Sequence, residues 1–263
     1  MKKFLVSLAI LSVVVPASHL YAKDDAPPKV GIVEKLGQNI PLDAQFYDET
    51  GQLVTLKSIV DKPTILTLVY YRCPSMCPAL LHELVRNIKK AGLELGKDYR
   101  ILTVSFDQRE TPDLAADKKQ SYLTEVGGSV DPMAWRFLTG DSANIHRLTN
   151  AAGFYFMPSP DKNWVHPTAL IFLSPEGKIT RYIDGVQYLP FDIKMAVIEA
   201  SHGKVGPTVA RILQLCFTYD PEGHRYTLNL VRVAGAFIIG LVGVFVIVFL
   251  VKPKKKAAET KQG

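Results

Sequence analysis

Two cysteines separated by three residues are the part of this sequence with the clearest potential for chemistry. Cys73 and Cys77 lie where a β-branched and aromatic run gives way to a helical pattern. Residues four positions apart share one face of a helix, so the two sulfurs are expected to lie together. The positive end of the helix should lower the pKa of Cys73 and favour its thiolate. The spacing leaves three alternatives: a structural disulfide, thiol–disulfide exchange, or binding of a soft metal ion such as Cu(I).

A metal bound by two thiolates needs a third ligand, and the sequence contains six histidines. His166 is the best placed, because it lies directly before an apolar strand and next to Pro167, which should make the loop rigid. His82 is nine positions after Cys73 and is expected to face away on the same helix. From the residues alone, His166 is either a ligand or a structural histidine.

The elements that would position these side chains alternate between strands and helices. Nearly continuous apolar runs at 63–71 and 99–106 predict strands buried on both faces. A helix is predicted at 78–91, after the first strand, and another follows the second strand from Thr111, a good N-cap, to about residue 126. Buried strands connected by helices form a parallel sheet.

Several shorter elements complete this prediction. They are a hairpin over 46–56, a strand at 135–138, a helix capped by Asp141, an antiparallel pair at 168–173 and 178–183, and a helix over 191–201. The antiparallel pair should lie at the edge of the parallel sheet. The chain is therefore predicted to be an α/β protein with a central mixed sheet flanked by helices.

Composition and charge exclude several classes of protein. With 263 residues, 48% hydrophobic and 21% charged, the chain is long enough for one sizeable core and is neither disordered nor a polytopic membrane protein. Three cysteines are too few for a small disulfide-rich scaffold. The net charge of +6 comes from the two ends, since residues 23–251 hold 24 basic and 24 acidic side chains. Nucleic acid is therefore not an expected partner.

Both ends of the chain have the character of membrane-directing signals. Residues 1–22 have the plan of a secretory signal peptide, with an uncleaved interfacial anchor as the alternative. The uncharged aliphatic stretch 233–251 is long enough for a transmembrane helix, and the lysine-rich tail 252–263 should stay in the cytoplasm. We expect a single-pass membrane protein whose folded domain, 30–202, is extracytoplasmic and is followed by a juxtamembrane segment, 203–232.

The cysteine segment and its surroundings resemble the Sco/SenC family. The shared features are Tyr-Tyr-Arg-Cys-Pro-Ser-Met-Cys-Pro at 70–78, Val-Ser-Phe-Asp at 104–107 with Thr-Pro at 111–112, and His166 before an apolar strand that ends in Pro-Glu-Gly. The resemblance covers roughly residues 40–200. Its combination of a double-proline cysteine motif with an aspartate and a histidine in the same order is far more specific than a lone pair of cysteines.

The resemblance implies a thioredoxin-like fold in which copper is bound by Cys73, Cys77 and His166. The implied role is that of a metallochaperone that assists assembly of the dinuclear copper centre of cytochrome c oxidase subunit II. A copper donor and a thiol reductant would act in the same compartment. The alternative is a thiol–disulfide oxidoreductase that keeps the cysteines of that subunit reduced, with Cys73 attacking and Cys77 resolving. Only this alternative would make the protein an enzyme.

Some features depart from the family pattern. Val165 precedes the histidine where the family often has Asp, so a supporting carboxylate is missing there. Asp107 is followed by Gln108 rather than proline, and it is expected either to support the site or to cap a helix or turn. The C-terminal anchor suggests a bacterial subgroup, in which the domain would be periplasmic. Cys216 is either a buried apolar residue or a thiol that pairs or reacts.

The surroundings of the site are predicted from neighbouring residues in the sequence. Passing a metal to another protein requires access to its ligands. Tyr70, Tyr71 and Trp164 lie close to the cysteines or to the histidine in sequence. We therefore expect a partly open site with an aromatic surround.

Overall fold

The structure is a computed structural model that describes residues 29–128, 130–161 and 163–206, two strands at 217–220 and 225–228, and residue 245. Four predicted features lie outside the described residues: the leader 1–22, the membrane helix 233–251 apart from residue 245, the tail 252–263, and Cys216. Among the helices that are described, none has the length and apolar character needed to cross a membrane.

The described chain contains thirteen strands and four α-helices, many of them short. The strands are β1 (Gly31–Ile32), β2 (Gln45–Tyr47), β3 (Leu53–Thr55), β4 (Thr64–Val69), β5 (Arg100–Ser105), β6 (Trp135–Leu138), β7 (Phe154–Tyr155), β8 (Met157–Pro158), β9 (Trp164–Val165), β10 (Ala169–Leu173), β11 (Ile179–Asp184), β12 (Phe217–Asp220) and β13 (Arg225–Leu228). The helices are α1 (Met76–Ile88), α2 (Pro112–Val126), α3 (Ser142–Ala151) and α4 (Pro190–Ser201), and a 3-10 turn covers Leu56–Ser58.

A five-stranded mixed sheet forms the centre of the domain, in the order β11-β10-β4-β5-β6. Strands β4, β5 and β6 run parallel, whereas β10 runs antiparallel to both β4 and β11. Every residue of β4 and of β10 is buried, as expected for strands that are covered on both faces. The predicted α/β fold, with parallel strands and an antiparallel pair at the edge, is confirmed.

Helix α1 packs its apolar side into the core, and it starts earlier than predicted. Leu80, Leu84 and Ile88 are buried along that side, and the helix contacts both α2 and α4. Because α1 begins at Met76, Cys77 lies in its first turn whereas Cys73 precedes it. The expectation that the two cysteines share one helical face is therefore wrong, and the loop before α1 decides where Cys73 lies.

The two predicted helix caps differ in the structure. The Asp141 carboxylate accepts the backbone N–H of Asn144 at 2.8 Å and caps α3 as predicted. Thr111 takes the N-cap position of α2 with extended backbone, but its hydroxyl makes no capping hydrogen bond. At Thr111 the sequence therefore predicted the boundary but not the interaction.

Short strand pairs that the sequence did not reveal hold the loop before His166. Strand β1 pairs with β7, and β8 pairs with β9, which ends one residue before His166. Gly153 precedes β7 with φ of 62°, and a Cβ there would overlap the carbonyl oxygen of Val33. The close approach of these two backbones therefore requires glycine at this position.

A buried charge cluster attaches the β2–β3 hairpin to the central sheet. The Arg136 guanidinium pairs with Asp48 and with Glu49, at 2.8 Å in each case. Glu49 also pairs with Lys119 and accepts the backbone N–H of Phe137 at 3.2 Å. Each buried charge has a partner of opposite sign, as burial requires.

Candidate metal centre

Two sulfurs and one imidazole meet at the end of β4. The ligand atoms of Cys73, Cys77 and His166 all lie within 4.8 Å of one another. The Cys77 Sγ is 3.6 Å from the Nε2 of His166, although the two residues are 89 positions apart in the chain. The structure therefore brings together the three side chains that the sequence singled out, and their ligation of a metal stays a prediction.

A tight turn, rather than the helix, places Cys73. Its backbone N–H donates to the carbonyl oxygen of Tyr70 at 3.1 Å, which folds the chain back directly after β4. The first turn of α1 then presents the N–H of Cys77 to the Cys73 Sγ at 3.4 Å. The two sulfurs are thus neighbours because a turn and a helix start face each other.

The pKa values of the two thiols are shifted in opposite directions. A hydrogen bond from the Cys77 thiol lowers the pKa of Cys73 in spite of its burial, and His166 and the backbone N–H groups of Cys77 and Ser75 act in the same direction. The same thiol contact, together with burial, raises the pKa of Cys77. The predicted direction for Cys73 is confirmed, but its first cause is the neighbouring thiol.

One hydrogen bond determines which nitrogen of His166 faces the sulfurs. The Nδ1 lies 2.8 Å from the carbonyl oxygen of Pro167. A carbonyl oxygen can only accept, so Nδ1 carries the proton and donates it. The Nε2 is thus the ring nitrogen that faces Cys77, at 3.6 Å from its Sγ. A histidine whose other ring nitrogen bonds to a carbonyl oxygen is the arrangement found at metal sites.

Aromatic rings surround the imidazole. Tyr70 meets His166 edge-on at 5.6 Å between ring centroids, and Phe106 and Phe154 lie at 5.2 and 6.4 Å. Trp164 packs behind Phe106, with their rings 6.2 Å apart. The sequence predicted Tyr70 and Trp164 in this surround, but Phe154 arrives from β7 and was not foreseen.

Two features of the surroundings differ from the prediction. Tyr71 lines a cavity together with Cys77, but its hydroxyl donates to the carbonyl oxygen of Leu138 in β6 at 2.8 Å and its ring lies 6.0 Å from that of Phe137, so it packs toward β6 and not against the imidazole. The sulfurs are also less accessible than expected: Cys73 is 6% exposed and Cys77 is 2% exposed. Only His166 is half-buried, so it forms the accessible side of the site.

Asp107 caps a turn and is not one of the three converging groups. It is 2% exposed and accepts three hydrogen bonds from Arg109, one from the backbone N–H at 3.0 Å and two from the guanidinium at 2.8 and 2.6 Å. Burial alone would raise the pKa of Asp107, but Arg109 and the Trp164 side chain hold it below its ordinary value. The Arg109 guanidinium lies 5.5 Å from the Trp164 ring. Asp107 was predicted either to support the site or to cap a helix or turn, and the structure shows it capping a turn.

Glu110 is a buried residue near the site that the sequence analysis missed. Its carboxylate accepts the backbone N–H groups of Tyr71 at 2.6 Å and Arg72 at 2.8 Å. Burial raises the pKa of Glu110. The only signal nearby in the sequence was the departure from the family pattern at Gln108, which says nothing about where the Glu110 carboxylate points.

Comparison with known proteins places this geometry in a family. The sequence model of the SCO1/SenC family matches residues 37–201. A SCO1 protein homolog of Bacillus subtilis (strain 168) is 22% identical over 151 residues, which are 56% of this chain and 75% of the relative.

Solved structures show the same fold. One from Aquifex aeolicus VF5 superposes with a TM-score of 0.57 at 30% identity, over 64% of this chain and 95% of that one. Arabidopsis thaliana ScoI with copper bound gives a TM-score of 0.51 at 21% identity, over 64% and 98% of the two chains. The central mixed sheet with flanking helices is similar to these structures, as the family resemblance implied for a thioredoxin-like fold. With well over half of its length matched, the chain belongs to the SCO1/SenC family.

Proposed function

We propose that this protein is a copper metallochaperone that assists assembly of the dinuclear copper centre of cytochrome c oxidase subunit II. The observation that carries the proposal is the convergence of two sulfurs and an imidazole nitrogen within 4.8 Å. Family membership supports it, and the related Arabidopsis ScoI was solved with copper bound. Copper is then the cargo of the protein, carried until a partner takes it.

The donor set fits copper better than harder metals. Thiolate and imidazole are soft or borderline ligands, and sulfur-rich sites of this kind select Cu(I). The three groups are Cys73, Cys77 and His166, and none of them is an oxygen ligand of the type that Mg²⁺ and Ca²⁺ require. Because the sulfurs are buried and the imidazole is half-buried, a partner would approach from the side of His166.

Copper binding should release about one proton per ion at pH 8. Cys73 is already a thiolate there because its pKa is lowered, whereas Cys77 keeps its proton because its pKa is raised. Only the Cys77 proton is displaced, since a metal ligates the thiolate form. Calorimetric titration with Cu(I) in buffers of different ionisation enthalpy measures this number, which should fall in Cys77→Ser because that variant lacks the thiol whose proton is displaced. Release of two protons would contradict the assigned ionisation of Cys73.

The proposal includes a place in the cell. We infer that residues 1–22 export the chain and that 233–251 anchors it in a bacterial cell membrane. The domain 30–202 would then be periplasmic, joined to the anchor by 203–232, with the tail 252–263 in the cytoplasm. The character of these segments in the sequence supports this topology, which would put the site in the compartment where subunit II, a copper donor and a thiol reductant meet.

Transfer of copper to the partner tests the proposed function directly. The protein is loaded with Cu(I) and mixed with the reduced, metal-free soluble domain of subunit II. Formation of the visible absorption of a dinuclear copper centre, after oxidant is added, is the expected result. The metal-free protein should produce none. If the loaded protein keeps its copper under these conditions, the chaperone proposal fails.

The opposite pKa shifts of the two thiols favour a second candidate function. A thiol–disulfide oxidoreductase needs one ionised cysteine that attacks and a second that stays protonated until it resolves the mixed disulfide. Cys73 and Cys77 have the corresponding shifts of pKa. The reducing role toward subunit II therefore stays an alternative to copper delivery, or an addition to it.

A further inference from the structure

Glu110 holds the stretch of backbone that leads from β4 to Cys73. Its Oε2 accepts the N–H of Tyr71 at 2.6 Å, and its Oε1 accepts the N–H of Arg72 at 2.8 Å. The next N–H along the chain, that of Cys73, donates to the carbonyl oxygen of Tyr70. Three consecutive amides of the turn are therefore held, two of them by one side chain.

The same carboxylate connects this turn to the neighbouring strand. Ser105, the last residue of β5, donates its hydroxyl to Glu110 at 2.6 Å. Val69 and Ser105 are register partners at the ends of the parallel strands β4 and β5. Glu110 thus bridges the two strand ends at the point where the chain enters the Cys73 turn.

Glu110 is itself fixed in place by the turn that Asp107 caps. Its backbone N–H donates to the carbonyl oxygen of Asp107 at 3.0 Å, and Asp107 holds the following loop through Arg109. Glu110 is only 5% exposed, so water is a poor substitute for its oxygens. A buried N–H without an acceptor is costly, so the turn depends on this carboxylate.

We propose that Glu110 is a positioning residue for the metal centre, which holds the Tyr70–Cys73 turn so that the Cys73 sulfur stays beside Cys77 and His166. This inference rests on the proposed copper function. It assigns the residue a role that is separate from ligation, because its carboxylate bonds to backbone amides and not to the ligand atoms. Residues that hold metal ligands in place typically affect affinity strongly without contacting the metal.

Replacement of Glu110 by glutamine tests the proposal. Glutamine keeps the shape, but its amide group has only one acceptor oxygen and brings N–H donors toward N–H groups. We expect Glu110→Gln to lower Cu(I) affinity by about 10- to 100-fold in competition with a chelator. In the metal-free protein, the amide resonances of residues 71 and 72 should move, because their acceptor is lost. Glu110→Asp keeps a carboxylate and should recover part of the affinity.

Glu49→Gln is the matched control. Glu49 is also a buried carboxylate that accepts a backbone N–H, but it lies in the charge cluster of the β2–β3 hairpin and pairs with Lys119 and Arg136. This variant should be less stable to heat and yet bind copper with unchanged affinity.

The possible results separate the positioning role from the copper function. Wild-type copper affinity in Glu110→Gln, or an equal loss in Glu49→Gln, overturns the positioning role. If Glu110→Gln does not fold, the Glu110→Asp variant is measured instead. The proposal is then contradicted if Glu110→Asp binds copper with wild-type affinity and the amide resonances of residues 71 and 72 do not move. If the wild-type protein itself binds no copper, the proposed function fails, while the amide resonances still show whether Glu110 holds the turn.

Discussion

Replacing His166 with alanine is expected to lower copper affinity by more than about 100-fold, beyond the loss typical of a supporting residue. The variant removes the only nitrogen among the three converging ligand atoms and leaves two sulfurs without a third donor. The variant should still reduce a model disulfide, because the largest contribution to the lowered pKa of Cys73 comes from its contact with Cys77 and not from His166. Chelator competition and a disulfide-reduction assay on the same preparation measure the two effects.

His82→Ala is the control for the His166 experiment. His82 lies on α1, half-exposed, with its Nδ1 2.6 Å from a carboxylate oxygen of Glu125. It is a histidine of the same domain that takes no part in the site, so its removal should leave copper affinity unchanged. Unchanged affinity in His166→Ala would show that the three-ligand site is wrong, and equal losses in both variants would indicate a general effect on the fold.

Replacing Cys77 with serine is expected to trap the protein halfway through thiol–disulfide exchange. The Cys73 thiolate attacks a disulfide reagent, forms a mixed disulfide and releases one thiolate of the reagent. In the wild type, Cys77 then loses its proton, attacks the Cys73 sulfur and releases the second thiolate, which leaves a Cys73–Cys77 disulfide. Serine cannot perform this second step, so Cys77→Ser should stop after one release.

An aromatic disulfide that yields a coloured thiolate measures the two steps, and mass spectrometry detects the trapped adduct. All proteins compared should carry Cys216→Ser, so that this third thiol does not contribute. The protein in which Cys73 and Cys77 are intact should release two coloured thiolates per molecule, and the Cys77→Ser variant should release one. Cys73→Ser should react slowly, because the remaining Cys77 is only 2% exposed and burial by itself raises the pKa of its thiol. Rapid reaction of Cys73→Ser would reverse the assigned roles of attacking and resolving cysteine.

The sequence predicted the three converging groups but not the way in which they converge. The helical spacing argument placed both cysteines on one face, whereas Cys73 lies in a turn before α1. The sulfurs still meet, because the N–H of Cys77 at the helix start donates to the Cys73 sulfur. The conclusion was correct for a reason that differs from the one the spacing suggested.

Orientation was the main limit on predictions about the surroundings. Tyr70 and Tyr71 follow directly after β4, and their side chains point in different directions. One reaches the imidazole at 5.6 Å, and the other donates to Leu138 across the sheet. Proximity in sequence could not distinguish them.

By itself, the sequence determined the chemical groups, the order of the helices and that of the central strands, because apolar periodicity and capping residues act within a few positions of the chain. It also marked His166, whose place before β10 follows from local pattern. Only the tertiary structure decided that Glu110 holds the turn before Cys73 and that the Nε2 of His166 faces a sulfur. These outcomes depend on contacts between segments 38 to 89 residues apart, where direction and distance are set by packing and not by neighbours in the chain.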